Sequence, residues 1–147
     1  MDMWDKAKRS DMMSRIRSRG NKTTELRFLS ILRANGISGW RRHGDLPGKP
    51  DFFFSRQRIA VFLDGCFWHG CAKCYKQPTT NSSFWIEKLR SNKRRDRRNS
   101  GRLRALGFRV IRIWEHSLRS ERLSAIRVAA LRRMLLAAPK KMATCRK

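Results

Sequence analysis

Three cysteines fall within nine residues, spaced Cys66-x4-Cys71-x2-Cys74. Thiolates at that spacing can wrap one tetrahedral zinc ion, and a structural site of that kind needs a fourth ligand. The fourth cysteine, Cys145, stands alone in a basic tail, so the histidines supply the candidates. His69 lies inside the loop, and His116 follows a β-rich run ending at Trp114. Spacing leaves the two nearly tied. The rival reading of the cysteines is ordinary reduced thiols at a chance spacing.

A second chemistry is written in carboxylates. Asp51 follows Pro50, and Asp64 ends the next apolar run. On paired strands, two such carboxylates can bind Mg²⁺, which prefers oxygen ligands and shares its coordination sphere with phosphate oxygens. A metal placed there polarises a phosphodiester and lowers the pKa of a bound water. Asp51 is the first choice of ligand. Taken alone, a Pro-Asp pair equally opens a turn before a strand. His69, close in sequence to Asp64, could take the proton of an attacking water if it does not hold zinc. Glu25, in the first turn of a helix, has no role visible beyond complementing the helix dipole.

The partner of such a site is indicated by charge. The chain has 147 residues with 36 Lys plus Arg against 11 acidic residues, a formal net charge of +25. A field of that strength attracts polyphosphates and releases their counterions. A membrane partner would call for an apolar or amphipathic anchor; the longest apolar stretches, such as 59–63 and 129–138, are too short to span a bilayer. The reading is a cytoplasmic, DNA-associated protein. Lys93, Arg94, Arg95, Arg97 and Arg98 crowd one helical segment with only Asp96 among them, which marks them as phosphate contacts. Phe67, Trp68 and Trp85 flank the cysteine loop; aromatic wedges unstack weak base steps, although any one of them could instead fill a core.

The elements that must position these groups can be read from periodicity. A basic arm or helix over 1–20 precedes a helix over 23–35 stopped by Gly36. Strands are expected at 51–54 and 58–64, joined by a short turn. A long helix over 84–106 ends at Gly107, a strand runs over 108–114, and a last helix runs from about 121 to 138 before Pro139. That order gives an α/β single domain over 21–138, with a small mixed central sheet flanked by helices, a zinc loop at 66–78, and a basic tail at 139–147 expected to be disordered.

Taken together, these runs resemble the very-short-patch-repair (Vsr) DNA mismatch endonucleases. The matching segments are Leu46-Pro-Gly-Lys-Pro-Asp-Phe, Phe62-Leu-Asp-Gly-Cys-Phe-Trp-His-Gly-Cys, Phe84-Trp-x2-Lys, Asn92-x2-Arg-Asp and Trp114-Glu-His, and Lys6-Ala-Lys-Arg-Ser, Met13-Ser-Arg-Ile-Arg and Thr24-Glu25 also match the amino-terminal pattern. The resemblance implies a restriction-endonuclease-like fold, with Asp51 and the backbone carbonyl of Leu63 on a catalytic Mg²⁺, His69 as catalytic histidine, Glu25 assisting and Asp64 beside them. It implies structural Zn²⁺ on Cys66, Cys71, Cys74 and His116. Phe67, Trp68 and Trp85 become a wedge at the mismatch, with Met13 approaching from the amino-terminal arm. The implied substrate is double-stranded DNA nicked 5′ to the thymine of a T:G pair, a product of 5-methylcytosine deamination. The enzyme would act as a monomer, with links to a methyltransferase and to repair proteins. Two rivals remain at this point: a related nuclease acting on other DNA sites, and a non-catalytic zinc-bearing DNA-binding module.

Overall fold

A computed structural model describes residues 20–137. The basic arm, Met13, the tail and Cys145 therefore lie outside the described residues, except for the arm's last residue, Gly20.

The chain runs α1 (Glu25–Ala34), β1 (Arg41–Arg42), β2 (Phe52–Phe54), β3 (Ile59–Asp64), α2 (Ser82–Ala105), β4 (Arg109–Trp114), α3 (Glu115–Arg119) and α4 (Glu121–Leu136). Two of these, β1 and the short α3, have no counterpart in the sequence expectation. Two and five residues are too few to show a period. The expected stops are present. Gly36 and Gly107 adopt positive φ, and the residue after each donates back to the last helical turn, Ile37 N–H to Leu32 O and Phe108 N–H to Leu103 O, both at 3.0 Å. That left-handed closure costs a glycine nothing in side-chain clash.

The four strands lie in the order β1-β2-β3-β4. The first two pairings are antiparallel and β3 runs parallel to β4, so α2 is the crossover between them. Every residue of β3 is buried, as expected of a strand covered on both faces. Its alternate residues divide the core. Ile59, Val61 and Leu63 join Phe28, Leu32, Leu118, Val128 and Leu131 on the side of α1 and α4, whereas Ala60 and Phe62 meet Leu103 of α2. The parity that sends Phe62 toward α2 sends Asp64 there as well. In β4 it selects Arg112, whose register partner is Phe62. No helix among the described residues is long and apolar enough to cross a membrane.

Candidate active site and metal cluster

The carboxyl end of β3 and the loop after it collect the functional side chains. Leu63 N–H donates to Asp51 Oδ2 at 2.7 Å, which fixes the Asp51 carboxyl beside the end of β3. Burial, with the charges of Glu25 and Asp64 adding to it, pushes the Asp51 pKa up to about 6. A carboxyl crowded by other carboxylates in this way is relieved by a cation, so the donor set suits a hard divalent metal. Glu25 is almost fully buried at the start of α1. Its Oε2 accepts from Arg42 Nη2 at 2.6 Å and from Gly20 N–H at 3.1 Å, with His43 Nε2 3.6 Å away. That arrangement is more than a dipole complement on a solvated first turn.

Asp64 stands near enough for its charge to raise the Asp51 pKa, but its carboxylate is held by an arginine. Arg112 takes both of its oxygens, Nε on Oδ2 at 2.7 Å and Nη2 on Oδ1 at 2.8 Å. His69 Nδ1 meets Asp96 Oδ2 at 2.6 Å. Burial works against the Asp96 charge, but the His69 hydrogen bond and the nearby Arg112 hold its pKa below the ordinary carboxylate range. An ionised carboxylate only accepts, so Nδ1 carries a proton, and in the neutral ring Nε2 is the acceptor.

The sequence reading missed Asp96 and Arg112 as site residues. Asp96 was hidden among five cations, yet Asn92, Asp96, Ser100 and Leu103 recur at helical spacing and form the sheet-facing stripe of α2. Asn92 Nδ2 donates to Trp68 O at 2.9 Å from this stripe. Arg112 could have been noticed as a charge at a core-facing position of a β-rich run.

Cys66, Cys71, Cys74 and His116 come together with their ligand atoms all within 4.8 Å of one another. His116 Nδ1 lies 3.4 Å from Cys66 Sγ and 3.5 Å from Cys71 Sγ. A tetrahedral zinc with bonds of about 2.0–2.3 Å needs its ligands roughly 3.3–3.8 Å apart, so the cluster fits with little adjustment. The helix α3 carries His116 into the cluster, and His69 points instead to Asp96. Burial pushes the Cys66 thiol up to about 11. A cation on the cluster would reverse that cost.

Phe67, Trp68 and Trp85 form one half-buried aromatic cluster, with ring centroids 5.2 Å apart for Phe67–Trp85 and 6.1 Å for Trp68–Trp85. Lys93, Arg94, Arg95, Arg97 and Arg98 are all exposed on α2, where Arg94 also reaches Glu87 at 3.0 Å.

Residues 1–76 match the family model described as DNA mismatch endonuclease Vsr. Over 120 residues the chain is 42% identical to DNA mismatch endonuclease Vsr of Escherichia coli strain K12, covering 80% of this chain and 76% of that protein. The chain belongs to the Vsr family. It is accordingly a DNA endonuclease, a phosphodiester hydrolase, and its mixed sheet with flanking helices is the restriction-endonuclease-like fold of Vsr proteins. Similarity extends to proteins named as type II nicking enzymes. One is V.NmeDIP of Neisseria meningitidis serogroup C, 37% identical over 80% of each chain. Another is V.NaeI of Lentzea aerocolonigenes, 46% identical over 53% of this chain and 47% of that protein. Membership in this Vsr family removes the reading as a non-catalytic DNA-binding module.

Proposed function

We propose that this Vsr-family chain is a Mg²⁺-dependent enzyme that nicks one strand of duplex DNA 5′ to the thymine of a T:G mismatch. The observation that carries this reading is the gathering of Asp51, Glu25 and Asp64 with the His69–Asp96 pair at the end of β3. Asp51 and the Leu63 carbonyl would hold Mg²⁺, which when bound supplies positive charge against the phosphate oxygens and a more acidic water. His69 Nε2 accepts the proton of the attacking water, while Asp96 keeps the ring in the Nδ1–H tautomer and stabilises the imidazolium that forms. Glu25, held by Arg42 and Gly20 and close enough for its charge to bear on Asp51, assists at the same cluster. As the water oxygen bonds to phosphorus, the phosphorus–oxygen bond to the leaving sugar breaks, and the departing oxygen takes a proton from solvent.

Phe67, Trp68 and Trp85 offer aromatic surface to a weakly stacked step, and the cations of α2 bind backbone phosphates without regard to sequence. The cysteine cluster would take structural Zn²⁺ and pin the loop carrying His69 to the sheet through His116. The names of the relatives, a mismatch endonuclease and nicking enzymes, agree with this chemistry. The test is strand-specific cleavage of a T:G duplex against its C:G twin, with and without Mg²⁺. Nicking 5′ to the mismatched thymine, only with Mg²⁺, is expected; equal cutting of both duplexes would replace the mismatch reading by a broader nuclease.

A further inference from the structure

Arg112 stands where the parity of β4 asks for an apolar residue, and its guanidinium lies over the Phe62 ring, 4.7 Å from the centroid. Burial alone would lower its pKa, but the hydrogen bonds it donates to Asp64 raise it above the ordinary value. Beyond its two bonds to Asp64, the same Nη2 stands 3.4 Å from Asp96 Oδ2, and Nη1 lies 3.4 Å from Ser100 Oγ. Asp96 Oδ2 is the oxygen that accepts from His69 Nδ1 at 2.6 Å, and Asp64 Oδ1 is 3.8 Å from that same nitrogen. One imidazole N–H therefore faces two carboxylate oxygens, and a single guanidinium nitrogen bridges both.

We infer that Arg112 is a positioning residue for strand cleavage: by clamping Asp64 and bridging to Asp96, it leaves Asp96 as the sole acceptor for His69 and so fixes the orientation of the imidazole. The inference rests on the proposed role of His69 as proton acceptor. Asp64 has a side-chain exposure of only 5%, so water cannot take over its hydrogen bonds. With the guanidinium removed, Asp64 turns to the His69 N–H, whose Nδ1 is 3.8 Å from Oδ1, and two unscreened carboxylates repel across the ring. Either response rotates the imidazole, and a displacement of about 1 Å at a reacting group costs about 100-fold in rate. Lysine cannot substitute, because a single ammonium lacks the planar fork that grips both Asp64 oxygens and still reaches Asp96.

The test compares wild type, Arg112→Met and the double variant Arg112→Met/Asp64→Asn by two readouts. The first is the imidazole N–H resonance of His69 in the protein without DNA, assigned by its loss in His69→Ala. The second is single-turnover nicking of a T:G duplex, with duplex affinity measured without Mg²⁺. Arg112→Met is expected to shift or lose the resonance and slow nicking about 100-fold at unchanged affinity. The double variant leaves Asp96 as the one carboxylate facing His69, the stronger acceptor beside a neutral amide, and is expected to restore the resonance and recover about tenfold or more of the rate. An unchanged resonance and rate in Arg112→Met overturns the inference, as does a folded double variant that recovers neither. Should Arg112→Met fail to fold, the double variant, which has no unpaired Asp64 charge, decides on the same two readouts. The resonance needs no substrate, so it decides on Arg112 even if wild type fails to nick a T:G duplex.

Discussion

The Nδ1 of His69 and the Oδ2 of Asp96 are 2.6 Å apart, a bond that ties the loop after β3 to the middle of α2 across 27 residues of sequence. It selects which imidazole nitrogen is free to take a proton. Asp96→Ala removes the acceptor while sparing the exposed cations on either side of it. Single-turnover nicking is expected to fall by about 10²–10⁴, the usual worth of a positioned general base, with duplex affinity retained. Activity within a few-fold of wild type would remove His69 from the role of base.

The cysteine cluster leads to a stability prediction. Structural zinc contributes its binding free energy to folding, because no preformed site exists in the unfolded chain. Wild type should carry one zinc per chain by elemental measurement. Cys71→Ser, at the buried member of the cluster, should lose the metal together with cooperative melting, or melt lower by more than roughly 10 °C. Equal melting, with zinc in neither protein, would dismiss the assignment.

How much of this was legible in the sequence varied with the kind of signal. The helices ending at Gly36 and Gly107 and the apolar strands were marked by period and stop residues. The cysteine spacing gave three ligands, but the choice between His69 and His116 depended on α3, a five-residue helix too short to show a period. Asp96 and Arg112 escaped for a different reason. Each is a charged residue whose meaning comes from the face it occupies, and that face is set by β3–β4 register and by the docking of α2. Asp64 looked like a metal partner for Asp51 on neighbouring strands; its charge does bear on Asp51, but both of its oxygens are held by Arg112 of β4.

The aromatic cluster should govern discrimination more than activity. Stacking of a base on an aromatic side chain is worth about 1–3 kcal/mol. Trp68→Ala or Trp85→Ala should therefore reduce the preference for a T:G over a C:G duplex by roughly 5–150-fold, read as the ratio of nicking rates. Each ring packs against Phe67, so melting of each variant is the control. A preserved ratio would mean that the rings serve only the local core.

On α2, Arg97 and Arg98 are exposed and project from the same helix that carries Asp96. If they neutralise phosphates, affinity for any duplex should fall on replacement, with no change in mismatch preference. The slope of log K against log salt should shrink by about 1 for each phosphate left without its arginine. Arg97→Ala and Arg98→Ala, titrated at several salt concentrations, check this; an unchanged slope would assign both side chains to solvent.

Asp51 links the site to stability with a definite sign. Its pKa in the folded protein, about 6, lies above the ordinary value of 3.8, so the fold favours its neutral form. The folded state binds more protons between those two values, and stability is lost as pH rises through them. Above pH 7 the ionised carboxylate costs the metal-free protein at most about 3 kcal/mol. Asp51→Asn keeps an oxygen to accept from Leu63 N–H but cannot ionise. Without added Mg²⁺ at pH 7.5 it should melt above wild type, by roughly 2–8 °C, and the gap should close as pH falls below about 4. Added Mg²⁺ should raise the melting temperature of wild type alone, and nicking by the variant should be abolished. A variant that melts at or below wild type at pH 7.5 would mean that Asp51 is not strained by its neighbours, and the metal would have to be sought on another carboxylate.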